Sequence, residues 1–98
     1  MRENTFQSNL IKELKTIFDG CIILKNDPNY KQGIPDLLIL YKDRWAALEC
    51  KRSNKSSTRP NQQYYIDILN NMSYAAIINP ENKEEIINDI KRSFGLER

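Results

Sequence analysis

The sequence contains no histidine, so the Ser-His-Asp and Cys-His classes of hydrolase and any zinc site that needs an imidazole ligand are excluded. Its three glycines lie too far apart to form a P-loop or a dinucleotide-binding motif. Its two cysteines are too few for a Cys₄ metal site or a disulfide framework, which indicates a reducing compartment. No apolar run is long enough to cross a membrane, and the first residues lack the apolar segment of a signal peptide. These absences predict a cytoplasmic protein with no membrane segment.

What is present is the composition of a globular domain, because 40% of the 98 residues are hydrophobic and 29% are charged. The length favours a single domain over residues 1–98. The net charge of +2 is small, but residues 42–60 contain six bases and only two acids, a local net charge of +4. Most charge runs are solvated surface. This one adjoins the motif described below, which favours contact with phosphate groups.

The spacing of apolar residues predicts three helices and four strands in the order α-β-β-β-α-β-α, a mixed α/β fold with a central four-stranded sheet. Asn79-Pro80 is typical of a helix N-cap followed by proline at the first helical position. The predicted elements are a helix over 5–18, strands over 21–25, 36–41 and 45–51, a helix over 60–72 with the apolar stripe Tyr65, Ile68, Leu69 and Met72, a strand over 74–78, and a third helix from Asn79-Pro80 with Ile86, Ile87, Ile90 and Phe94 on its buried face.

Two carboxylates and a lysine fall at the ends of the predicted hairpin. Residues two apart on a strand share a face, so Glu49 and Lys51 project together. If strands 36–41 and 45–51 pair, Asp36 meets both at one edge of the sheet. Crowded carboxylates repel each other, and a hard divalent cation such as Mg²⁺ neutralises them. Taken separately, each feature is commonly structural: a solvated ion pair, or turn chemistry at a strand entry.

Three segments carry a resemblance to a known family: Gly33-Ile34-Pro35-Asp36, then Glu49-Cys50-Lys51, then Gln62 at the start of the following helix. In this order of elements they resemble the PD-(D/E)xK nuclease superfamily, and more narrowly its VRR-NUC branch with the small stand-alone proteins of phages and bacteria. The resemblance covers nearly the whole chain and implies a restriction-endonuclease-like core.

The resemblance also implies roles for individual residues. Asp36 and Glu49 would bind the metal, together with the backbone carbonyl of Cys50, and Lys51 would be the catalytic lysine. The glutamine of the family has two candidates here. Gln62 lies three residues before Tyr65 on the apolar side of the helix, whereas the neighbouring Gln63 points away from it, so Gln62 is the better match.

The family places a further acid on the first helix, and its position here is left open. Glu3 falls in the middle of the apolar face and Glu13 near its edge, at 100° per residue. Gln7 also faces inward and could replace the acid. Glu3 is favoured, although it lies near the terminus.

Several residues are candidates for contact with DNA. Tyr30, in the turn-rich segment 26–33, is an aromatic that could stack on a base, and Lys31 lies beside it. The remaining candidates are basic and belong to the segment that follows the third strand: Lys51, Arg52, Lys55 and Arg59.

These expectations combine into a Mg²⁺- or Mn²⁺-dependent DNA endonuclease that hydrolyses phosphodiester bonds, acting in a bacterial or phage-infected cell. The resemblance implies a homodimer and a preference for branched DNA such as a four-way junction. A small core has room for few large aromatics, so some members of the set Trp45, Tyr64, Tyr65, Tyr74 and Phe94 are expected at a subunit interface. The alternatives are a nucleic-acid-binding module of the same fold that does not cut, and an interaction protein in which the acids are incidental.

Overall fold

The structure, a computed structural model, describes residues 2–96. Its element order is the one expected, with three helices and four strands in a mixed α/β arrangement. The elements are α1 (Glu3–Ile17), β1 (Ile22–Lys25), β2 (Leu37–Tyr41), β3 (Arg44–Cys50), α2 (Pro60–Met72), β4 (Tyr74–Ile78) and α3 (Lys83–Ser93).

The four strands form one sheet in the order β1-β2-β3-β4. The first three strands are antiparallel; the long segment 26–36 joins β1 to β2, and the tight turn at Lys42 and Asp43 joins β2 to β3. β4 runs parallel to β3, because α2 carries the chain back across the sheet before β4 begins. The hairpin register pairs Leu37 with Leu48 and Tyr41 with Arg44. The start of β2 therefore lies beside the end of β3, and Asp36 and Lys51 are the first residues beyond these two ends.

One face of the sheet carries the main core, beneath α1 and α3. Phe6, Leu10 and Leu14 recur at four-residue spacing along α1 and are buried, as the sequence predicts. On the same face of the sheet, α3 contributes the buried residues Ile86, Ile87 and Ile90, and Phe94 follows it. From the sheet, Leu37, Ile39, Leu48 and Cys50 point into the same layer.

The opposite face of the sheet is covered only in part. Ile66 of α2 packs with Ala47 and Ala75 of β3 and β4, and Trp45 and Leu69 border this smaller cluster. α2 does not extend over the first two strands, so Ile22 and Leu24 of β1 remain 58% and 44% exposed. This uncovered part of the sheet is called the apolar face below.

The expected N-terminus of the third helix at Asn79-Pro80 is wrong. The third helix begins at Lys83, and Pro80 belongs to a turn before it. The Asn79 side chain accepts hydrogen bonds from the backbone N–H groups of Glu81 and Asn82, which closes that turn instead of capping a helix.

The buried position of α2 also differs from the expected stripe. Ile66 is its buried side chain, Tyr65, Ile68 and Leu69 are half-buried, and Met72 is 67% exposed. The reason is that α2 packs against β3 and β4 only, and Met72 at its end stays outside the cluster that includes Leu69. No helix within residues 2–96 is both long enough and apolar enough to cross a membrane.

Candidate active site

The chain around Asp36 is fixed by hydrogen bonds to two neighbouring segments. The Asn26 side chain donates to the carbonyl of Pro35 at 2.7 Å, and the Asn26 backbone N–H donates to the carbonyl of Asp36 at 2.8 Å. The Asp36 carboxylate oxygen Oδ2 accepts the backbone N–H of Cys50 at 2.9 Å. Asp36 therefore bridges the start of β2 and the end of β3, where the sequence placed it.

Glu49, Lys51 and Gln62 form one hydrogen-bonded cluster next to Asp36. Gln62 donates through Nε2 to Glu49 Oε2 at 2.9 Å and accepts through Oε1 from Lys51 Nζ at 3.0 Å. Lys51 Nζ lies 3.6 Å from the same Glu49 oxygen. The side chains of Lys51 and Glu49 are only 12% and 4% exposed, so this is not the solvated surface ion pair that Glu-x-Lys commonly forms on a strand.

Gln62 is held by its position at the start of α2. Its Oε1 also accepts the backbone N–H of Arg59 at 3.0 Å, a group that helix geometry leaves without an intrahelical partner. The amide is thus tied to the helix N-terminus, to the lysine and to the carboxylate at once. Gln63 instead donates to Asp67 at the surface of the helix. Gln62 therefore faces the cluster and Gln63 faces away from it, as expected from the sequence.

The two carboxyl groups are crowded and poorly neutralised. The pKa of Glu49 is raised to about 7, mainly by burial and also by the nearby Asp36, while Lys51 partly offsets both effects. Burial also raises the pKa of Asp36, against the hydrogen bond from Cys50 and the charge of Lys51. A second positive charge at this edge of the sheet would stabilise the ionised form of both carboxyl groups.

The donor set decides whether a divalent cation fits. Within residues 2–96, no group of three or more His, Cys, Asp or Glu side chains is arranged to hold a metal ion. Two carboxylates are present, and the Cys50 carbonyl points to the same side of β3 as its N–H, which faces Asp36. Mg²⁺ uses one or two carboxylates, keeps several waters and prefers oxygen ligands. These three donors fit Mg²⁺ or Mn²⁺ and do not fit a metal that needs a complete protein cage.

A cavity of about 490 Å³ opens at this cluster. Asp36, Glu49, Lys51 and Gln62 form its floor, and its rim is formed by residues of the 51–59 loop and by the first residue of α1: Arg52, Ser56, Ser57, Arg59 and Glu3. Two arginines therefore stand at the mouth of a polar site that contains two carboxylates. The serines were not among the candidates, because no motif marks them in the sequence.

The structure distinguishes the candidates for the acid of the first helix. Glu3 lines the cavity with Asp36 and Glu49. Glu13 forms an ion pair with Lys83 at 2.8 Å and lines a separate pocket beside Pro80, so it lies away from the site. Gln7 lies close to the buried thiol of Cys50. Glu3 is the acid nearest to the cluster.

The other expected DNA contacts are distributed unevenly. Lys55 is exposed on the loop and does not line the cavity, whereas Arg52 and Arg59 do. Tyr30 is 88% exposed. Lys31 lies over the ring of Tyr65 on α2, 5.6 Å from its centroid, which joins the 26–33 segment to that helix.

Two members of the aromatic set pack with the core. Phe94 packs against Phe18 and Tyr41, and the half-buried Tyr74 donates its hydroxyl to Asp89 on α3. Phe94 follows α3 and lies over the sheet, whereas Tyr74 belongs to β4 and is covered by α3. Tyr64 remains 58% exposed, and Trp45 lies half-buried beside the apolar face.

The chain was also compared with known proteins. No protein-family model, no curated protein and no solved structure matches it.

Proposed function

We propose that this protein is a Mg²⁺-dependent DNA endonuclease of the PD-(D/E)xK type that resembles the VRR-NUC branch. The observation that carries the proposal is the buried cluster in which Gln62 joins Lys51 to Glu49 beside Asp36, at the floor of an open cavity bordered by arginines. A purely structural ion pair does not require a second carboxylate beside it, nor an open polar cavity above it.

Each side chain has a role that follows from its position. Asp36, Glu49 and the Cys50 carbonyl would hold Mg²⁺ or Mn²⁺, which when bound polarises a phosphoryl oxygen and lowers the pKa of a bound water. The Lys51 ammonium is placed to stabilise the negative charge that develops on the phosphate or to orient the attacking water. Gln62 keeps both Lys51 and Glu49 in position through its two hydrogen bonds. Arg52 and Arg59 would bind the phosphates on either side of the bond that is cut.

The proposal is tested by incubation with labelled single-stranded, linear duplex and branched DNA, in Mg²⁺, in Mn²⁺ and in EDTA. We expect cleavage that needs the metal and that is lost in Asp36→Asn and Glu49→Gln proteins that remain folded. DNA binding without cleavage in either metal would support the alternative, a nucleic-acid-binding module of this fold. If the protein neither binds nor cleaves DNA, the nuclease and the nucleic-acid-binding module are both contradicted and an interaction protein is favoured.

We also propose that two copies of the chain associate through the apolar face. The groove on this face is lined by Asn26, Ile34, Pro35, Leu38, Leu40, Trp45, Ala47 and Leu69, and exposed Ile22 and Leu24 lie beside it. These residues are uncharged, so two copies can meet across a two-fold axis without repulsion, and burial of exposed leucine and isoleucine drives association. A dimer would present two active sites to opposed strands of a four-way junction, which supports a preference for branched DNA.

The dimer is tested by light scattering at micromolar concentration. Leu24→Glu places a charge on the apolar face and is expected to give the 11.5 kDa monomer. Lys25→Glu, the next residue on the opposite face of the strand, is the matched control and is expected to remain dimeric. A monomeric wild-type protein, with and without junction DNA, would contradict the dimer. Equal cleavage rates on junction and linear duplex would contradict the preference.

A further inference from the structure

A second cavity adjoins the candidate active site and is lined by Arg59 but not by Arg52. It measures about 190 Å³ and shares Asp36, Glu49, Arg59 and Gln62 with the first cavity. A phosphate bound over the carboxylates would therefore have an adjoining space on the side away from Arg52. The function proposed above does not use this space.

The outer wall of this second cavity contains three side-chain amides beside Pro28, Gly33 and Ile34. Asn29 and Gln32 come from the segment between β1 and β2, and Asn61 comes from the first turn of α2. Among residues 2–96, none of these three amides forms a side-chain hydrogen bond with another residue, although Gln62, Gln63 and Asn82 on the same or neighbouring elements do. Three exposed amide groups, each able to donate and to accept, therefore line one small space and have no side-chain partner in the described protein.

The wall is held together by close contacts between the segment and the helix. A Cβ atom on Gly33 would lie 2.9 Å from the side-chain Cγ of Asn61, and Gly33 has a φ of +87°, so only glycine allows the segment to approach the helix this closely. Lys31 packs over the ring of Tyr65 from the same segment. On the same segment, Tyr30 is 88% exposed. These contacts place the segment that lines the cavity directly against α2.

We infer that this second cavity binds the base of an unpaired nucleotide that adjoins the phosphate held at Asp36 and Glu49. This rests on the proposed nuclease function and names the substrate class within it. Amide side chains are the groups that pair with the donor and acceptor edges of bases, and an exposed tyrosine can stack on a neighbouring base. The space has the size of one base and not of a base pair. A base within a duplex exposes only its groove edges and cannot enter, so the nucleotide must be single-stranded, flipped out or located at a branch.

The test uses uncharged probes, because a phosphate would report on the active site instead. Side-chain amide signals are followed by ¹⁵N NMR while 2′-deoxyadenosine or 2′-deoxycytidine is added, with 2-deoxyribose as the probe that lacks a base. We expect the signals of Asn29, Gln32 and Asn61 to shift with the nucleosides, which bind about tenfold more tightly than the sugar, a difference of about 1.4 kcal/mol.

Two variants make the test specific. Asn61→Ala removes one amide from the wall and is expected to weaken nucleoside binding about fivefold. Asn71→Ala, an exposed asparagine near the other end of α2, is the matched control and is expected to bind as the wild type does. Equal shifts with nucleoside and sugar, shifts away from the three amides, or no shift at all would overturn the inference.

The outcome separates this inference from the proposed function. Metal-dependent cleavage by a protein that shows no nucleoside-specific shift leaves the nuclease standing and removes the base-binding cavity. Nucleoside-specific shifts in a protein that never cuts DNA remove the nuclease and leave a nucleotide-binding site. Cleavage that is equally fast on a substrate with a base and on one with an abasic nucleotide next to the cut would also overturn the inference.

Discussion

The crowded carboxyl pair predicts that the metal-free protein loses stability as the pH rises, and Glu49→Gln isolates the effect. In the folded protein the pKa of Glu49 is raised from 4.5 to about 7. Between these two values the folded state binds a proton that the unfolded state has released, so the free energy of unfolding falls as the pH rises through this window. Below pH 4.5 Glu49 is protonated in both the folded and the unfolded state, and its contribution to the free energy of unfolding is fully present.

The magnitude follows from the size of the rise in pKa. Each tenfold change in proton affinity is worth about 1.4 kcal/mol, so the rise in the pKa of Glu49 corresponds to about 3 kcal/mol of stability that is lost as the pH rises through the window. The raised pKa of Asp36 acts in the same direction and persists in the variant. The introduced glutamine stays neutral, keeps an acceptor for Gln62 and leaves the Lys51–Gln62 hydrogen bond in place. The variant is therefore expected to exceed the wild type in stability at pH 8 and to match it more closely at pH 5.

The assay is urea unfolding in EDTA at pH 5, 6, 7 and 8, followed by the fluorescence of Trp45. Glu84→Gln removes one exposed carboxyl in the first turn of α3 and controls for the change in net charge. At pH 8, added Mg²⁺ is expected to stabilise the wild type and to have little effect on the Glu49→Gln protein. Parallel pH profiles of the wild type and Glu49→Gln would refute the reasoning, because Glu49 would then ionise as it does in the unfolded chain.

Three further results are expected. Neutralising Arg52 and Arg59 together, which line the cavity, lowers the slope of log K against log salt for DNA binding by about one to two units, whereas neutralising the exposed Lys55 changes it less; equal effects would contradict the geometry. Gly33→Ala destabilises the protein by about 1–2 kcal/mol in thermal unfolding, because alanine is strained at the positive φ of this position and its Cβ would clash with Asn61. An unchanged unfolding midpoint would contradict that contact. Ca²⁺ supports DNA binding but little cleavage in a gel assay, because its looser coordination positions water poorly, and a rate equal to that in Mg²⁺ would contradict this account.

The centre of the site could be predicted because it depends on short-range regularities. The alternation of side chains along a strand places Glu49 and Lys51 on one face, and hairpin register then brings Asp36 to them. The rotation of about 100° per residue along a helix likewise places Gln62 toward the site and Gln63 away from it. These relations hold within one or two adjacent elements, so they do not depend on how the rest of the chain packs.

What could not be predicted depends on contacts between distant parts of the chain. Tyr74 and Phe94 are core residues because α3 packs over the sheet, and apolar spacing alone does not reveal which rings it covers. The start of α3 was misplaced because Asn79 satisfies the N–H groups of a turn, a role that looks identical to an N-cap in the sequence. Helix facing favours Glu3 over Glu13, but the ion pair that holds Glu13 away from the site joins α1 to the distant Lys83 and cannot be read from local spacing.

The wall of the second cavity was also missed. Its amides come from a turn-rich segment and from the first turn of a helix that follows two strands later. Nothing in the local sequence marks these amides as neighbours, because the close approach depends on Gly33 meeting Asn61 across that distance.

The central claim is that the buried Lys51 takes part in a metal-dependent reaction at this site. The most direct measurement is the single-turnover rate of DNA cleavage in Mg²⁺ by Lys51→Met, compared with Lys55→Met as a lysine of the same loop that does not line the cavity. The account predicts a loss of at least about a hundredfold in the Lys51→Met protein and a rate close to that of the wild type in Lys55→Met. A folded Lys51→Met protein that cuts as fast as the wild type would contradict the account.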